Sequence, residues 1–521
     1  MLDTLITGAE VYDGNGGEPR RVAVGLKDGR IAHVGEAPGA GAAKETVDGT
    51  GLWLSPGFVD SHASTGLGYL RKGAADNKLY QGVSFELIGN CGTSTAPVGD
   101  YLVEVMEQQG EKIGFPFSWR SLGEYFERVE DFGLPINLAT LVGHSTLRHG
   151  SLQDWEAITD DELSTMCQAL DVGMTQGAFG MSSGLIYPPG CFAKTAELIE
   201  LGKVVARHGG FYASHIRDER SGVEDAVHEA LEIGRFADIP VLISHLKAAD
   251  KPNWGKIPGL LNHIEAFREE HEVHAIVDVY PYTAVSTKMR AFLPKDILAD
   301  GITAVSQKLE SDEWRQRSIR WMLDRETGLD EMIVISEDIP GTTGKSVVEI
   351  GAMWDMTPQQ AACELVRRVP ETWVVYHCIS QKDMDAAVMW EDAVICSDSW
   401  SYPVNAKTSI GNPHPRTYGA FSRFLDRYVF DTGMLSYGEA VKKITSQPAD
   451  FIGLKNRGRI EEGYRGDILL MNPNGFADNA TYQNPRRFSE GVVHLWINGL
   501  QAITDGVITN DTCGRIVRPE G

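Results

Sequence analysis

The sequence has 521 residues, of which 42% are hydrophobic, and its formal net charge at pH 7 is −24. A chain of this length and composition can bury a large core and is expected to form more than one structural unit. Phosphate groups are bound by clustered Lys and Arg side chains, and the sequence contains no such run. Its charge therefore argues against nucleic acid and against an anionic membrane surface as partners.

The first residues carry no visible export or membrane signal. The segment MLDTLITGAEVYDG has no basic part followed by an apolar one, and no run of 18 uninterrupted apolar residues occurs. We therefore expect a cytoplasmic protein without a membrane span, and a homo-oligomer is left open. The seven cysteines are too widely spaced, and odd in number, for a disulfide framework, so each is considered as a thiol, a core residue or a metal ligand.

Residues 1–56 predict the first part of a small β domain. Apolar and polar residues alternate in short runs. Between the runs stand pairs of the kind that tight hairpins favour, namely Asp13-Gly14, Asp28-Gly29 and Asp48-Gly49.

Residues 57–430 predict an α/β fold, a (β/α)8 TIM barrel. Apolar runs of four to seven residues recur, often followed by helical patterns, which is typical of a parallel sheet with its loops on one face. At least ten runs compete for the eight strand positions of such a barrel. The surplus, which includes MIVIS and TWVVYH, predicts an insertion around residues 287–375.

Residues 431–521 predict a helical connection followed by short, turn-separated strands like those of the first 56 residues. The two chain ends are therefore expected to build one small domain, a β-sandwich or β-barrel, beside the larger barrel.

Three residues at predicted strand ends suit a metal site. His215 closes the run GFYASH, His245 closes PVLISH 30 residues later, and Cys91 follows GVSFELIGN. Because the carboxyl ends of parallel barrel strands meet at one mouth, these side chains can approach a common zinc ion and leave one position open for water. The structural alternatives are satisfied core histidines and a buried, inert cysteine.

Asp398 ends a later apolar run, AVICSD. A carboxylate there could take a proton from zinc-bound water and pass it to the leaving nitrogen of an amide. The alternative is an aspartate that caps the following turn.

Several ordered motifs resemble those of the N-acyl-D-amino-acid deacylases (D-aminoacylases) of the amidohydrolase superfamily. The resemblance spans nearly the whole chain. The motifs are PGFVDSH (56–62), GNCG (89–92), GH (143–144), MSSGLIYPP (181–189), SHIRDE (214–219), SHLK (244–247), DVYPY (278–282), HPR (414–416) and WING (496–499).

This resemblance implies a (β/α)8 barrel flanked by a small β domain made from both chain ends. It also implies a tightly held zinc on Cys91, His215 and His245, with Asp398 as general base and acid.

The resemblance further implies a set of residues that bind the substrate, mainly its carboxylate: Tyr187, Lys247, Tyr280, Ser286 and Arg416. Cationic and hydroxyl donors suit a carboxylate, and Arg can bind it through two hydrogen bonds. From the residues alone, Lys247 and Arg416 could equally form salt bridges, Tyr280 could be core packing and Ser286 a solvated loop hydroxyl.

The first barrel strand departs from the family pattern. Where the family shows His-X-His, this sequence reads His62-Ala63-Ser64. A second metal held by two histidines there is not expected, so we predict one tightly bound zinc per chain. His62 is an additional candidate ligand, and otherwise contacts substrate or is held by a neighbouring hydrogen bond.

The leading functional hypothesis is zinc-dependent hydrolysis of the amide in an N-acyl-D-amino acid. A second hypothesis keeps the same machinery but uses another small-molecule amide, such as a lactam, a small peptide or an aryl amide, since a fold does not fix its substrate. A third is a non-enzymatic scaffold protein, which the joint presence of Cys91, His215, His245 and Asp398 disfavours.

Overall fold

A computed structural model describes residues 1–64, 66–401, 403–404 and 411–520, except for the side chains of Lys112 and Ile113. The fold is a mixture of parallel strands, antiparallel strands and helices. No helix among the described residues is both long enough and apolar enough to cross a membrane.

The amino-terminal segment consists of short strands. Their bounds are β1 Leu2–Thr7, β2 Glu10–Val11, β3 Ala23–Lys27, β4 Arg30–Gly35, β5 Ala43–Asp48 and β6 Trp53–Pro56. Four of them form a sheet in the order β4-β3-β1-β5. Asp28 and Gly29 join β3 to β4 with φ values of 51° and 77°, and the Asp-Gly pair suits this turn because both of its central residues need positive φ.

Parallel strands alternating with helices follow. The strands are β7 Phe58–Asp60, β8 Val83–Ile88, β9 Asn137–Thr140, β10 Val142–Gly143, β11 Gly180–Gly184, β12 Phe211–His215, β13 Val241–Ile243 and β14 Ala275–Val279. The helices are α1 Asp76–Leu79, α2 Val103–Ile113, α3 Leu122–Phe132, α4 His144–Ser151, α5 Asp160–Thr175, α6 Thr195–Arg207, α7 Val223–Ala237 and α8 Ile257–His271. Strands β7, β8 and β9 pair in parallel, and β10 to β14 do so in chain order.

An antiparallel sheet with its own helices interrupts the parallel series. It comprises β15 Val285–Lys288, α9 Ile302–Lys308, α10 Asp312–Asp324, β16 Met332–Val334, α11 Val347–Met353, α12 Pro358–Arg368 and β17 Trp373–Tyr376. The strand order is β15-β17-β16, with both pairs antiparallel. The surplus apolar runs MIVIS and TWVVYH supply β16 and β17.

The parallel series resumes after this segment. Helix α13 Gln381–Met389 leads into β18 Ala393–Ile395, which pairs in parallel with β14. Just beyond β18, Ser399 forms a parallel bridge to Ala63, so that the last strand also connects back to the first. Three α-helices follow, namely α14 Arg416–Leu425, α15 Tyr437–Ile444 and α16 Ser446–Ile452, and a π-helical segment, Asp426–Asp431, continues α14.

Strands from both chain ends share one sheet. The last strands are β19 Ile468–Met471, β20 Val492–Ile497, β21 Leu500–Thr504 and β22 Val507–Ile508, and the sheet order is β2-β6-β19-β20-β21-β22. Within it Leu54 lies opposite Leu470, and both are fully buried.

A compact apolar cluster fills one end of the space between the parallel strands. It includes Phe85, Leu87 and Phe211, and Ile452 and Leu454 at the end of α16 pack against it. The carboxyl ends of the same strands lead to the polar side chains described next.

Candidate metal centre and active site

Five side chains that could bind a metal or transfer a proton lie at or just beyond strand ends. His62 follows β7, Cys91 follows β8, His215 ends β12, His245 follows β13 and Asp398 follows β18. Cys91, His245 and Asp398 have φ values of 51°, 37° and 44°. Positive φ is unfavourable for residues other than glycine, and such strain concentrates at functional sites.

Four of these residues form one tight group of possible ligands. The Sγ atom of Cys91 lies 3.2 Å from Nε2 of His62 and 3.4 Å from Nε2 of His245. Oδ1 of Asp398 lies 3.6 Å from Nε2 of His62, and the four donor atoms all lie within 4.8 Å of one another. Ligand atoms around a tetrahedral zinc are roughly 3.3 to 3.8 Å apart, so these spacings suit such an ion.

The protonation states of Cys91 and His215 also suit a metal. Burial raises the pKa of the Cys91 thiol, but the imidazoles of His62 and His245 outweigh this effect and bring the pKa below its ordinary value. Burial lowers the pKa of His215 to about 4, which keeps this imidazole neutral. Thiolate and neutral imidazole are the forms that bind zinc.

His215 belongs to a second group, which overlaps the first at His245. Its Nε2 atom lies 3.6 Å from Oε1 of Glu219, and Nδ1 of His245 lies 3.2 Å from the same oxygen. Both ring nitrogens of His215 are buried without a hydrogen-bond partner among the described residues. A buried polar atom without a partner costs free energy, so these two nitrogens are suited to bind a metal ion. The predicted ligands Cys91, His215 and His245 are thus adjacent but divided between two groups.

Asp278 connects the backbone and side chains of the candidate ligand residues. Its carboxylate lies 3.0 Å from Nδ1 of His62, and it accepts hydrogen bonds from the backbone N–H of His245 at 2.6 Å and from the thiol of Cys396 at 3.1 Å. Neither Asp278 nor Glu219 was assigned a role from sequence. The available signal was a carboxylate inside an otherwise apolar strand for Asp278, and a position four residues after His215 for Glu219.

Asp398 is paired with Arg416, whose Nη1 atom lies 2.8 Å from Oδ2 of the aspartate. Burial raises the pKa of Asp398, but the Arg416 charge and the nearby imidazoles outweigh it and hold the pKa well below its usual range. The guanidinium also stacks on the ring of Tyr280, 4.4 Å from the centroid. The carboxylate is therefore ionised and acts only as an acceptor.

Known proteins match this chain over nearly its whole length. It is 32% identical to N-acyl-D-glutamate deacylase of Alcaligenes xylosoxydans xylosoxydans over 99% of this chain and 96% of that protein. It is 30% identical to D-aminoacylase of the same organism over 99% and 97% of the two chains. The profile of the Amidohydrolase family matches residues 406–503.

The chain belongs to the N-acyl-D-amino-acid deacylase family of the amidohydrolases. The resemblance inferred from the motifs is thereby confirmed, and the chain is a hydrolase of this family. The crystal structure of N-acyl-D-glutamate deacylase from Bordetella bronchiseptica, complexed with zinc and a phosphonate inhibitor, matches with a TM-score of 0.84 and 29% identity, covering 99% of each chain. A crystal structure of D-aminoacylase matches with the same TM-score and identity.

In this deacylase-family chain a buried ion cluster supports the loop that carries Asp398. Nζ of Lys78 lies 2.7 Å from carboxylate oxygens of Asp60 and Glu86, and donates to the hydroxyls of Ser397 at 2.6 Å and Ser399 at 3.1 Å. All five residues are at most 1% exposed. The cluster fixes both neighbours of Asp398. No sequence pattern indicated that Lys78 is buried.

The residues predicted to bind substrate in this deacylase-family chain each contact different partners. Lys247 pairs with Glu219 and lies 2.8 Å from Nδ1 of His245. The Tyr187 hydroxyl is 2.8 Å from that of Thr287, and its ring packs edge-on against His215. Ser286 lies in β15 opposite Val375 and is half-buried. Within the described residues, no hydrogen bond links Ser286 to Lys247 or Arg416.

Proposed function

We propose that this protein hydrolyses the amide bond of an N-acyl-D-amino acid in a zinc-dependent reaction. One observation carries the proposal: a thiol with a lowered pKa, the neutral imidazole of His215 with two ring nitrogens unpaired among the described residues, and an ionised carboxylate lie together at the carboxyl ends of parallel strands. Membership in the deacylase family supports the same reaction.

The proposed site holds one zinc ion on Cys91, His215 and His245. The orphaned nitrogens of His215 and the 3.4 Å approach of Cys91 to His245 support this set. His62 is the additional candidate, since its Nε2 also faces Cys91 while its Nδ1 is engaged by Asp278. Zinc bound there supplies Lewis acidity, which polarises an amide carbonyl and makes water more acidic.

Asp398 is the proposed proton carrier. Its Oδ2 atom is occupied by Arg416, so Oδ1, which faces the ligand group, is the oxygen available to take a proton from the attacking water. The same atom then returns this proton to the nitrogen of the departing amino acid. Lys78, through Ser397 and Ser399, keeps the carboxylate in that orientation.

The amino-acid carboxylate is proposed to bind at the cationic side of the site. Arg416 and Lys247 supply the charge, and both also lie over the ring of Tyr280. Tyr187 and Ser286 are the remaining proposed contacts. Because Arg416 and Lys247 are already paired with Asp398 and Glu219, substrate would share these cations with protein carboxylates.

A different amide, such as a lactam, a small peptide or an aryl amide, is the second candidate substrate. The segment after β7 favours this second candidate, because half-buried Ser64 stands where the family pattern has a histidine. The backbone N–H of Ser64 donates to the carbonyl of Ser399 at 2.9 Å. That substitution changes the shape and charge of the wall beside Asp398.

We also propose the finer architecture: a closed (β/α)8 barrel over residues 57–430, an insertion around 287–375, and a small β domain from residues 1–56 and from residues 431–521, which begin with a helical connection. Support comes from the parallel pairing of β7, β8 and β9, from that of β10 to β14 and β18, from the bridge between Ala63 and Ser399, and from the sheet shared by both ends. The cytoplasmic location and the oligomeric state stay predictions.

The test combines zinc analysis with turnover of N-acyl-D- and N-acyl-L-amino acids, lactams and aryl amides. The unmodified protein should contain one zinc and prefer the D-acids. Cys91→Ala should lose both zinc and turnover, because a methyl group cannot replace a thiolate ligand. Asp398→Asn should keep zinc but lose about a hundredfold in kcat, because the amide cannot carry the proton.

Cys363→Ala is the matched control. This cysteine is buried in α12, and its loss should leave zinc and turnover intact. Full zinc content in Cys91→Ala would contradict the proposed site. Two tightly bound zinc ions in the unmodified protein would contradict the single-metal proposal, and turnover of lactams or aryl amides alone would favour the second candidate.

A further inference from the structure

A cavity of about 110 Å³ lies at the end of the parallel strands opposite the metal ligands. It touches Phe179, which immediately precedes β11, and Leu454 just after α16. Its charged lining comes from two chain segments, 453–465 and 515–520. The charged residues are Lys455, Arg457, Arg465, Arg515, Arg518 and Glu520.

The lining is strongly cationic, although the chain as a whole carries a net charge of −24. Arg457 is buried and neutralised, since it pairs with Asp467 and donates to Oδ1 of Asn498 at 3.0 Å. In contrast, Arg465 and Arg515 form no ion pair with any carboxylate of the described residues. These two guanidiniums therefore leave a net positive charge in the cavity.

The guanidiniums are close enough to repel one another. Burial lowers the pKa of Arg465, and the charges of Arg30, Arg457 and Arg515 lower it further. The remaining lining groups neutralise this charge only in part: Glu520 supplies the single carboxylate among the described residues of the lining, Lys455 donates to the neutral backbone carbonyl of Glu520 at 3.0 Å, and Arg518 lies 3.9 Å from Glu130. Holding like charges together costs free energy, which a bound anion would recover.

We propose that this cavity binds a small multivalent oxyanion bearing phosphate or carboxylate groups. Planar guanidiniums bind both groups through paired hydrogen bonds, and the volume of the cavity accommodates one compact ion. The site is separate from the proposed amide-hydrolysing centre, because it lies beyond the amino ends of the strands whose carboxyl ends carry the metal ligands.

Binding there should stabilise the fold without altering catalysis. An anion between Arg465 and Arg515 would tie the segment after α16 to the carboxyl-terminal segment, which bridges to the parallel strands through Ile516 and Leu138. A ligand that binds only the folded state raises the free energy of unfolding by RT ln(1 + L/Kd), where L is the free ligand concentration, so the unfolding temperature rises with the logarithm of the anion concentration above Kd. We expect a rise of about 2 to 4 °C over the titrated range and an unchanged kcat.

The experiment titrates inorganic phosphate and, separately, malonate into the zinc-loaded protein at constant ionic strength set with sodium chloride. Calorimetry and thermal unfolding report binding, and the stronger of the two anions names the class of ligand. Repeating the titrations on Cys91→Ala, which should lack zinc, separates cavity binding from any contact of the anions with the metal.

Arg465→Met and Arg515→Met should each weaken binding roughly tenfold or more, because each removes a charge-assisted contact. Neither guanidinium has an ion-pair partner among the described residues, so both variants should fold, which circular dichroism checks. Arg320→Met, at an exposed position of α10, is the control and should bind as the unmodified protein does. Equal shifts with chloride alone, or full binding by both cavity variants, would overturn the proposal.

Discussion

Arg416 lies beside one carboxylate of the protein and is proposed to bind another on the substrate. Arg416→Ala should lower kcat/KM for a substrate with a free carboxylate. The activation free energy derived from kcat/KM should rise by about 1.5 to 3 kcal/mol, the usual contribution of a charged hydrogen bond. The change also raises the pKa of Asp398, but that effect acts equally on an acid and on its carboxamide. The ratio of kcat/KM between each acid and its carboxamide therefore isolates recognition.

Arg423→Ala, two turns further along α14, serves as the control for this measurement. Its acid-to-carboxamide ratio should match that of the unmodified protein. An unchanged ratio in Arg416→Ala would remove the carboxylate role and favour a neutral amide as substrate.

Asp478 makes the free energy of unfolding depend on pH, and none of its hydrogen bonds among the described residues involves a proposed metal ligand. Burial raises its pKa from 3.8 to about 6, although the backbone N–H of Ala480 donates to it at 2.9 Å. The folded state therefore binds the proton more tightly than the unfolded chain does. The resulting stability is fully present below about pH 4 and is lost as the pH rises through 6.

Asp478→Asn should remove this dependence. At pH 7.5 its free energy of unfolding should exceed that of the unmodified protein by about 1 to 2 kcal/mol, which allows for solvent screening of a partly exposed group. The difference should vanish near pH 4. Urea unfolding of the zinc-free proteins measures it, with exposed Asp505→Asn as the control. A constant difference across the pH range would exclude titration of Asp478 as the cause.

The sequence predicted which site residues lie at strand ends, but not which other residues they contact. Cys91, His245 and Asp398 stood at the ends of apolar runs, and they do lie within one group of donor atoms. The contacts of Lys78 could not be foreseen, because they join it to residues up to 321 positions away in the chain. Such contacts depend on the closure of the whole fold rather than on local pattern.

At the scale of elements, apolar runs indicated strands but not their direction. The runs that became β16 and β17 read like the runs of the parallel sheet, yet both strands are antiparallel. Short runs buried on both faces lack the alternation that would distinguish the two cases. Only the count of runs, at least ten for eight positions, indicated that some of them belonged elsewhere.

Helix α7 packs closely on β13, the strand that leads to His245. A Cβ atom added at Gly234 would lie 2.2 Å from Cγ2 of Val241. Gly234→Ala should therefore lower the free energy of unfolding by about 1 to 3 kcal/mol through overpacking. Gly259→Ala in α8 meets nothing within 4 Å and should instead stabilise by up to about 1 kcal/mol. Urea unfolding measures both, and equal effects would contradict the packing argument.

At the scale of the molecule, the chain ends are joined to each other and to the parallel strands. β6 pairs with β19, and Asn498 in the turn after β20 donates to Oδ1 of Asn137 in β9 at 2.7 Å. The sequence suggested that the ends meet only because both showed similar short strands. The contacts to β9 had no local signal, since they need the folded parallel strands as partners.

Because these contacts connect the shared sheet to the parallel strands, we predict that the shared sheet and the zinc site unfold together. Leu54 is fully buried in the apolar cluster of that sheet, opposite Leu470. Leu54→Ala should lower the free energy of unfolding by about 2 to 5 kcal/mol through the cavity it leaves. Thermal unfolding followed by circular dichroism, with released zinc detected by a coloured chelator, should show one transition in both signals, shifted to lower temperature. Val507→Ala, at a 59% exposed position of the same sheet, is the control and should leave the transition in place. Loss of the shared sheet before any release of zinc would instead show two units that unfold independently.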